Sequence, residues 1–170
     1  MTPSGDEIVE YLASCFDGVY RALGESAPHM TNDAYVVRTY EMGRAFAEVA
    51  LAMRASLGDA PAKPLTIIDA VLRHALVNDE TGAMTLYAMA MVVGPRLLVS
   101  LRDAHEVVGD QSVRDLFDRA ADVTVREIRS VGEVAKSQPP IDDPNWQEAA
   151  RDLTNTLESA GNAESFGFSR

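Results

Sequence analysis

The residues of this chain that could bind a metal are few and scattered. Its histidines stand in three separate segments, at His29, His74 and His105. A di-iron carboxylate bundle needs a Glu-x-x-His pair on each of two helices, and no such pair occurs in the sequence. Cys15 is the only cysteine, so that neither a Cys-x-x-Cys ligand pair nor an intramolecular disulfide can form. We therefore expect no metal and no other cofactor.

Sequence signals for catalysis are equally sparse. Cys15 stands on the apolar stripe of a predicted helix, with no histidine in that segment, as a buried structural thiol would. The chain contains no Gly-x-Ser-x-Gly elbow, no Gly-x-Gly-x-x-Gly loop and no Walker A loop. We predict no catalytic residue. Because catalytic triads assemble in space, the sequence leaves open whether the protein is an enzyme.

An apolar segment in the middle of the chain offers the best candidate ligand site. Methionine and aromatic side chains can line an adaptable apolar pocket, and Arg96 within this segment could hold an anionic group. The alternative for Arg96 is that its stem packs while its guanidinium reaches water or an acid such as Asp69 or Glu48, since buried charges are generally paired within a protein. The candidate ligand-binding residues are Tyr87, Met91, Arg96, Met42 and Phe46.

This segment is predicted to form a long central helix over about 82–108. From Ala83 to Leu101 it is apolar nearly all round, and such a helix is normally surrounded by other helices or covered by a second subunit. Pro95 removes a backbone donor and clashes with the preceding turn, so we expect a kink near Gly94. The apolar side chains cannot all face one core, so some must meet another layer, a partner or a cavity.

Five further helices are predicted around the central one. Apolar residues recur every three or four positions, which is the period of an amphipathic helix. In the second helix, steps of three and four residues alternate along most of the stripe from Tyr35 to Leu57, as in the seam of a bundle. The predicted helices cover 6–24, 31–57, a short stretch after Lys63-Pro64 that includes Ile68 to Leu76, 82–108, 110–137 and 143–160.

Three helix boundaries carry specific signals. A glycine can end a helix, Ser, Thr, Asn or Asp can cap its first turn, and Ser followed three residues later by an acid has the spacing of a capping box. We expect Gly24 to end the first helix and one of Thr31, Asn32 and Asp33 to cap the second. The fifth should start near Asp110–Ser112, where Ser112 and Asp115 have capping-box spacing.

The predicted fold class is all-α. We find no alternating β-branched run and no hairpin signal between apolar segments. The 170 residues fit one domain. We expect a single-domain bundle of five to six helices over residues 1–160, with a buried, kinked central helix, and a disordered tail over 161–170.

Charge and composition narrow the choice of partner and compartment. The formal net charge of −11 opposes binding to nucleic acid or to an anionic membrane. Residues 110–170 carry 12 acids and 7 bases, so this region would suit a basic partner. A single cysteine and an N-terminus without a signal-peptide pattern favour the cytoplasm.

Three functional hypotheses follow from the sequence. The first is a non-enzymatic helical module that forms a homodimer or binds a protein partner through the central helix. The second is a binding domain for an apolar or anionic small molecule, or an enzyme, with its pocket between the second and fourth helices near Gly94-Pro95. The third is an acidic protein that captures a basic partner through the 110–170 region.

Overall fold

The computed structural model describes residues 4–57 and 83–138, together with residues 148, 151, 152, 154 and 155 of the C-terminal region. Within these residues all regular structure is helical and no strand occurs. The all-α prediction is therefore confirmed. The four helices are α1, Gly5–Ser26; α2, Asp33–Leu57; α3, which joins Ala83–Ala88, Met89–Val93 and Gly94–Val107; and α4, Gln111–Ser137.

Helix α1 begins with a capping box that its sequence encodes locally. The Ser4 hydroxyl accepts from the Glu7 backbone N–H at 3.2 Å, and the Glu7 carboxylate accepts from the Ser4 N–H at 2.8 Å. The prediction that Gly24 ends this helix is wrong, since α1 continues to Ser26. A 3₁₀ turn, Ala27–His29, follows at once with Pro28 at its start. Proline cannot continue the α-helical bonding pattern, so the helix ends there rather than at the glycine.

Helix α2 begins where the cap residues indicate. The Asn32 side-chain oxygen accepts from the backbone N–H groups of Ala34 at 2.9 Å and Tyr35 at 3.3 Å. The predicted cap is thus confirmed and assigned to Asn32. The predicted stripe also faces the core. Its members as far as residue 53 are all buried, namely Tyr35, Thr39, Met42, Phe46, Val49 and Met53.

Helix α3 changes its hydrogen-bonding register at the predicted kink. Met89–Val93 forms a π-helical turn between two α-helical parts, and the Gly94 N–H donates to the Met89 carbonyl five residues back. Pro95 then occupies the first turn of the final part, where a missing N–H costs least. The π-helical turn therefore lets the chain carry a proline inside a long apolar helix.

Helix α4 starts within the predicted range Asp110–Ser112, and Asp110 is its cap. The Asp110 carboxylate accepts from the backbone N–H groups of Ser112 at 2.8 Å and Val113 at 3.4 Å. Asp115 instead accepts from the Gln111 side chain, so the predicted Ser112–Asp115 capping box does not form. The carboxylate at the N-cap position outcompetes the hydroxyl two residues later, because it reaches the first free N–H groups directly.

The described helices pack around one apolar core. Helix α1 lies mainly against α2, and α3 contacts α1, α2 and α4. The Asn32 side-chain amide donates a hydrogen bond to the Gln138 side-chain oxygen at 2.8 Å, and Arg38 pairs with Glu127. Because residues at the start of α2 thus meet residues near the end of α4, these two helices run antiparallel. The largest fully buried side chains are Phe16, Phe46, Phe117, Ile8, Leu12, Leu23, Met42, Met53, Leu86, Met89 and Leu97.

Two predicted helices and the predicted tail lie mostly or wholly outside the described residues. The short third helix after Lys63-Pro64 and the tail 161–170 fall wholly outside them. Of the sixth, over 143–160, only five positions are described, and all five are helical. The described part of the chain therefore contains four of the predicted helices.

Candidate functional site

The five predicted ligand residues occupy two environments. Met42 and Phe46 are fully buried on the inner side of α2, where the Phe46 ring packs edge-on against Phe16 at 5.0 Å. Tyr87, Met91 and Arg96 are each half-buried on α3. The first two residues therefore belong to the hydrophobic core, and the other three line its boundary with solvent.

Tyr87 forms an aromatic pair with a residue of α2. Its ring centroid lies 6.3 Å from that of Tyr35, with the planes at 70°. Burial, with the neighbouring Tyr35 as a lesser cause, raises the pKa of Tyr87 to about 12. The phenol is therefore neutral at physiological pH and can act as a hydrogen-bonding group, but not as a ready base.

The π-helical turn of α3 lies tightly against α4. A Cβ added at Gly94 would come within 2.9 Å of the Ile128 Cδ1 atom, which is closer than real carbon contacts allow. A Cβ added at Gly132 would lie 3.7 Å from the Met91 methyl group, an ordinary contact. The absence of a Cβ at Gly94 thus lets the Ile128 side chain lie directly against the backbone at the point where α3 changes register.

Arg96 makes its one described hydrogen bond to its own helix. One of its terminal nitrogens donates to the Val92 carbonyl at 2.9 Å, within the π-helical turn. Its Nε atom is buried and has no hydrogen-bond partner among the described residues. Of the two acids predicted as ion-pair partners, Glu48 pairs with Arg44 and Asp69 lies outside the described residues.

A buried ion pair that the sequence analysis missed joins α2 to α4. Arg38 pairs with Glu127, and their side chains are only 12% and 4% exposed. Glu41 adds a second contact to Arg38 at 2.9 Å, and Arg126 adds one to Glu127 at 3.0 Å. One sequence signal could have indicated that Glu127 is buried, because it stands among apolar residues at helical spacing on α4, but no such signal identifies Arg38 as its partner.

Cys15 and Tyr11 form a polar contact within α1. The thiol is fully buried, and burial raises its pKa well above the ordinary value despite a lowering hydrogen bond from Tyr11. A thiol held in this state is a poor nucleophile, because the thiolate is the reactive form. The expectation of an inert structural cysteine fits this environment.

The exposed large apolar side chains of the described residues lie mainly on two neighbouring helices. The described residues include five exposed large apolar side chains, and four of them lie on α1 and α2. We call these four residues, Tyr20, Val37, Tyr40 and Leu51, the outer patch. The Tyr20 ring reaches α2, where it lies 3.6 Å from the Cβ position of Gly43, three residues after Tyr40. The fifth side chain, Val107, stands apart at the end of α3.

Charge is distributed unevenly over the helices. Helix α2 carries three acids and three bases, and α4 carries five of each, so both are neutral overall. Helix α1 carries five acids and a single base. The acidic excess of 110–170 therefore lies at Asp110 and after residue 138 rather than on α4.

Further features of the described residues bear on metals and membranes. They include no group of three or more His, Cys, Asp or Glu side chains placed to hold a metal ion. One helical stretch, Met84–Val107, is long and apolar enough to cross a membrane, with a mean hydropathy of 1.5 over its most apolar window. Most of that window is buried within the protein, as in the core helix of a soluble protein, which passes the same test.

Comparison of the chain with protein-family models, with curated proteins and with solved structures finds no match. Function must therefore be argued from the geometry of the molecule itself.

Proposed function

We propose that this protein is a non-enzymatic helical module that acts by self-association or by binding a protein partner, and that the outer patch is its contact surface. The observation that carries the proposal is the grouping of four exposed large apolar side chains on α1 and α2. Exposed apolar side chains that are grouped on neighbouring helices are typical of a protein interaction site. Two of the four are tyrosines, which are enriched at such sites because they combine apolar area with a polar tip.

Electrostatics supports the same surface. Two copies of a chain with a net charge of −11 repel each other, so association requires a contact where that repulsion is weakest. Helix α2 is neutral, and its exposed Arg44 and Glu48 pair with each other at 2.9 Å. The outer patch is thus flanked by balanced charge, whereas the rest of α1 is acidic.

The proposed contact surface lies mainly on α2, whereas the sequence analysis expected it on α3. Helix α3 buries Leu86, Met89, Val93 and Leu97 almost completely. Five further large apolar side chains, Met84, Tyr87, Met91, Leu98 and Val99, are half-buried, and Val107 at the end of the helix is exposed. Exposed large apolar side chains are therefore fewer on α3 than on α2.

Light scattering coupled to size exclusion tests the proposal at two protein concentrations. We expect the wild-type chain to form a dimer at tens of micromolar and Tyr40→Gln/Leu51→Gln to stay monomeric. Val107→Gln is the matched control, because Val107 is 56% exposed and lies outside the outer patch. A monomeric wild type, or a dimer that both variants leave intact, would overturn the proposal for self-association.

A second candidate function is small-molecule binding beside the π-helical turn. Two observations favour it: π-helical turns often mark functional sites, and the buried Nε atom of Arg96 has no partner among the described residues. The ligand would be an apolar molecule with an anionic end, in contact with Tyr87, Met91 and Arg96. An enzyme acting on such a molecule is the extension of this hypothesis.

Thermal shift with medium-chain fatty acids and the matching alcohols tests this second candidate. A ligand that binds only the native state raises the melting temperature with concentration. We expect the acids to stabilise the protein more than the alcohols, and Arg96→Gln to remove that difference. Equal shifts for acids and alcohols would contradict the role given to Arg96.

The third hypothesis, capture of a basic partner, now rests on the acids at Asp110 and after residue 138. Binding of a basic peptide that weakens steeply with salt would support it. We also retain as proposals the single domain over 1–160, the bundle of five to six helices, the cytoplasmic location and the absence of membrane and nucleic-acid binding.

A further inference from the structure

We propose that the partner of the outer patch is the same patch of a second copy, with the two α2 helices antiparallel and Tyr40 of each opposite Leu51 of the other. This inference rests on the proposed function, since it requires that the outer patch makes contact at all. It adds which surface the outer patch contacts and the relative direction of the two α2 helices. The result is a closed dimer rather than an open chain of molecules.

The spacing of the outward residues of α2 fits a two-helix seam. Val37, Tyr40, Arg44, Ala47 and Leu51 follow one another at steps of three, four, three and four residues, which is the alternation of a helical seam. Apart from Ala47, which is half-buried, these residues are exposed. Helix α2 therefore carries one seam toward the core of its own chain and a second toward solvent.

Side-chain size favours the antiparallel direction. When Tyr40 lies opposite Leu51, the long Arg44 lies opposite the small Ala47, and this happens twice about the symmetry axis. A parallel pair in register would instead place Arg44 against Arg44 and Ala47 against Ala47. Alternation of large and small residues lets two helices pack closely, and the parallel arrangement lacks it.

Charge favours the same direction. In the antiparallel pair Arg44 of one copy approaches Glu48 of the other, so opposite charges meet on both sides of the axis. In a parallel pair each of these residues faces its own kind, and like charges in register are destabilising. The other described helices offer the patch a poorer partner, because α1 is acidic and α4 exposes only charged and polar side chains along its outer side.

A spin label at Ala55→Cys tests the direction through electron–electron distance measurement. Ala55 is exposed near the end of α2, and Cys15 is fully buried, so only the new cysteine is labelled. In the antiparallel pair position 55 lies opposite position 36, so the two labels are separated by about 28 Å along the axis at ~1.5 Å per residue. A parallel pair would bring the labels side by side. Unmodified protein treated with the same reagent is the labelling control.

Charge exchange provides an independent test. We expect Arg44→Glu to weaken dimerisation about threefold to tenfold, because the introduced carboxylate would face Glu48 of the other copy. Arg44→Glu/Glu48→Arg exchanges the two charges and should restore the wild-type affinity. Failure of the double variant to recover would contradict the antiparallel pairing.

The outcomes separate this inference from the function on which it rests. A long label distance in a dimer that Tyr40→Gln/Leu51→Gln dissociates supports both. A short distance in such a dimer overturns the antiparallel arrangement and leaves the outer patch as the contact surface. Mass that keeps growing with concentration overturns the closed dimer. A monomeric wild type overturns both.

Discussion

Helices α2 and α3 are both rich in apolar residues, yet they place them differently. Helix α3 contacts α1, α2 and α4, so neighbours cover its apolar surface on several sides. Helix α2 contacts chiefly α1 and α4, and its opposite side keeps Val37, Tyr40 and Leu51 more than half exposed. Apolar content alone therefore does not indicate which helix meets a partner, because the positions of the neighbouring helices decide how much of that content is covered.

The two sides of α2 allow the sharpest test of this difference. Phe46→Ala, on the buried side, should lower the free energy of unfolding by about 3 to 5 kcal/mol, because it leaves a cavity beside Phe16. Leu51→Ala, on the exposed side, should change it by no more than about 0.5 kcal/mol. Urea unfolding of monomeric protein measures both. Similar losses for the two variants would mean that Leu51 is covered within its own chain.

The buried ion pair between α2 and α4 should give the next largest effect. Arg38→Met leaves Glu127 buried without its main partner and should cost about 3 kcal/mol, since Arg126 compensates only in part. Arg38→Met/Glu127→Leu removes both charges and should recover most of that loss. Lys136→Met breaks an exposed pair with Glu133 and should change stability by less than about 0.5 kcal/mol. Equal losses for Arg38→Met and Lys136→Met would show that burial adds nothing to the pair.

The close approach of α3 to α4 predicts a smaller effect at Gly94. Gly94→Ala should lower the free energy of unfolding by about 1 kcal/mol, because crowding against Ile128 outweighs the helix-forming gain of alanine. Ile128→Val removes the nearest atom and should reduce that loss. Gly24→Ala, at a helical glycine with open space around it, should instead stabilise by about 0.5 to 1 kcal/mol. A stabilising Gly94→Ala would show that the helices can move apart freely.

The smallest expected effect is at the cap of α4. Hydrogen bonds from the Ser112 side chain and backbone lower the pKa of Asp110 below its ordinary 3.8. The stabilisation by Asp110 is therefore present above that value and lost as pH falls through the lowered folded-state pKa. Thermal unfolding of wild type and Asp110→Ala should differ slightly at neutral pH and converge in acid. Asp110→Asn keeps a capping oxygen that does not titrate, and its difference from Asp110→Ala should not depend on pH.

The sequence by itself determined the helices of the described residues and their inner faces. Helix spacing, caps and breaks are local signals, so the stripe from Tyr35 to Met53 and the Asn32 cap could be predicted from neighbouring residues alone. The errors were also local choices between competing signals. Pro28 rather than Gly24 ended α1. Helix α4 began within the predicted range Asp110–Ser112, but Asp110 capped it in place of the expected Ser112–Asp115 capping box.

Only the tertiary structure decided which surfaces are covered and which distant side chains meet. Arg38 and Glu127 lie 89 positions apart in the sequence. The local sequence pattern around either residue therefore does not predict that the two residues form a pair. Tyr40 and Leu51 are exposed, whereas Met42 and Phe46 on the opposite side of the same helix are buried. This difference depends on where α1 and α4 lie against α2. Burial is a property of the whole packing arrangement, whereas helix formation is a property of a few consecutive residues.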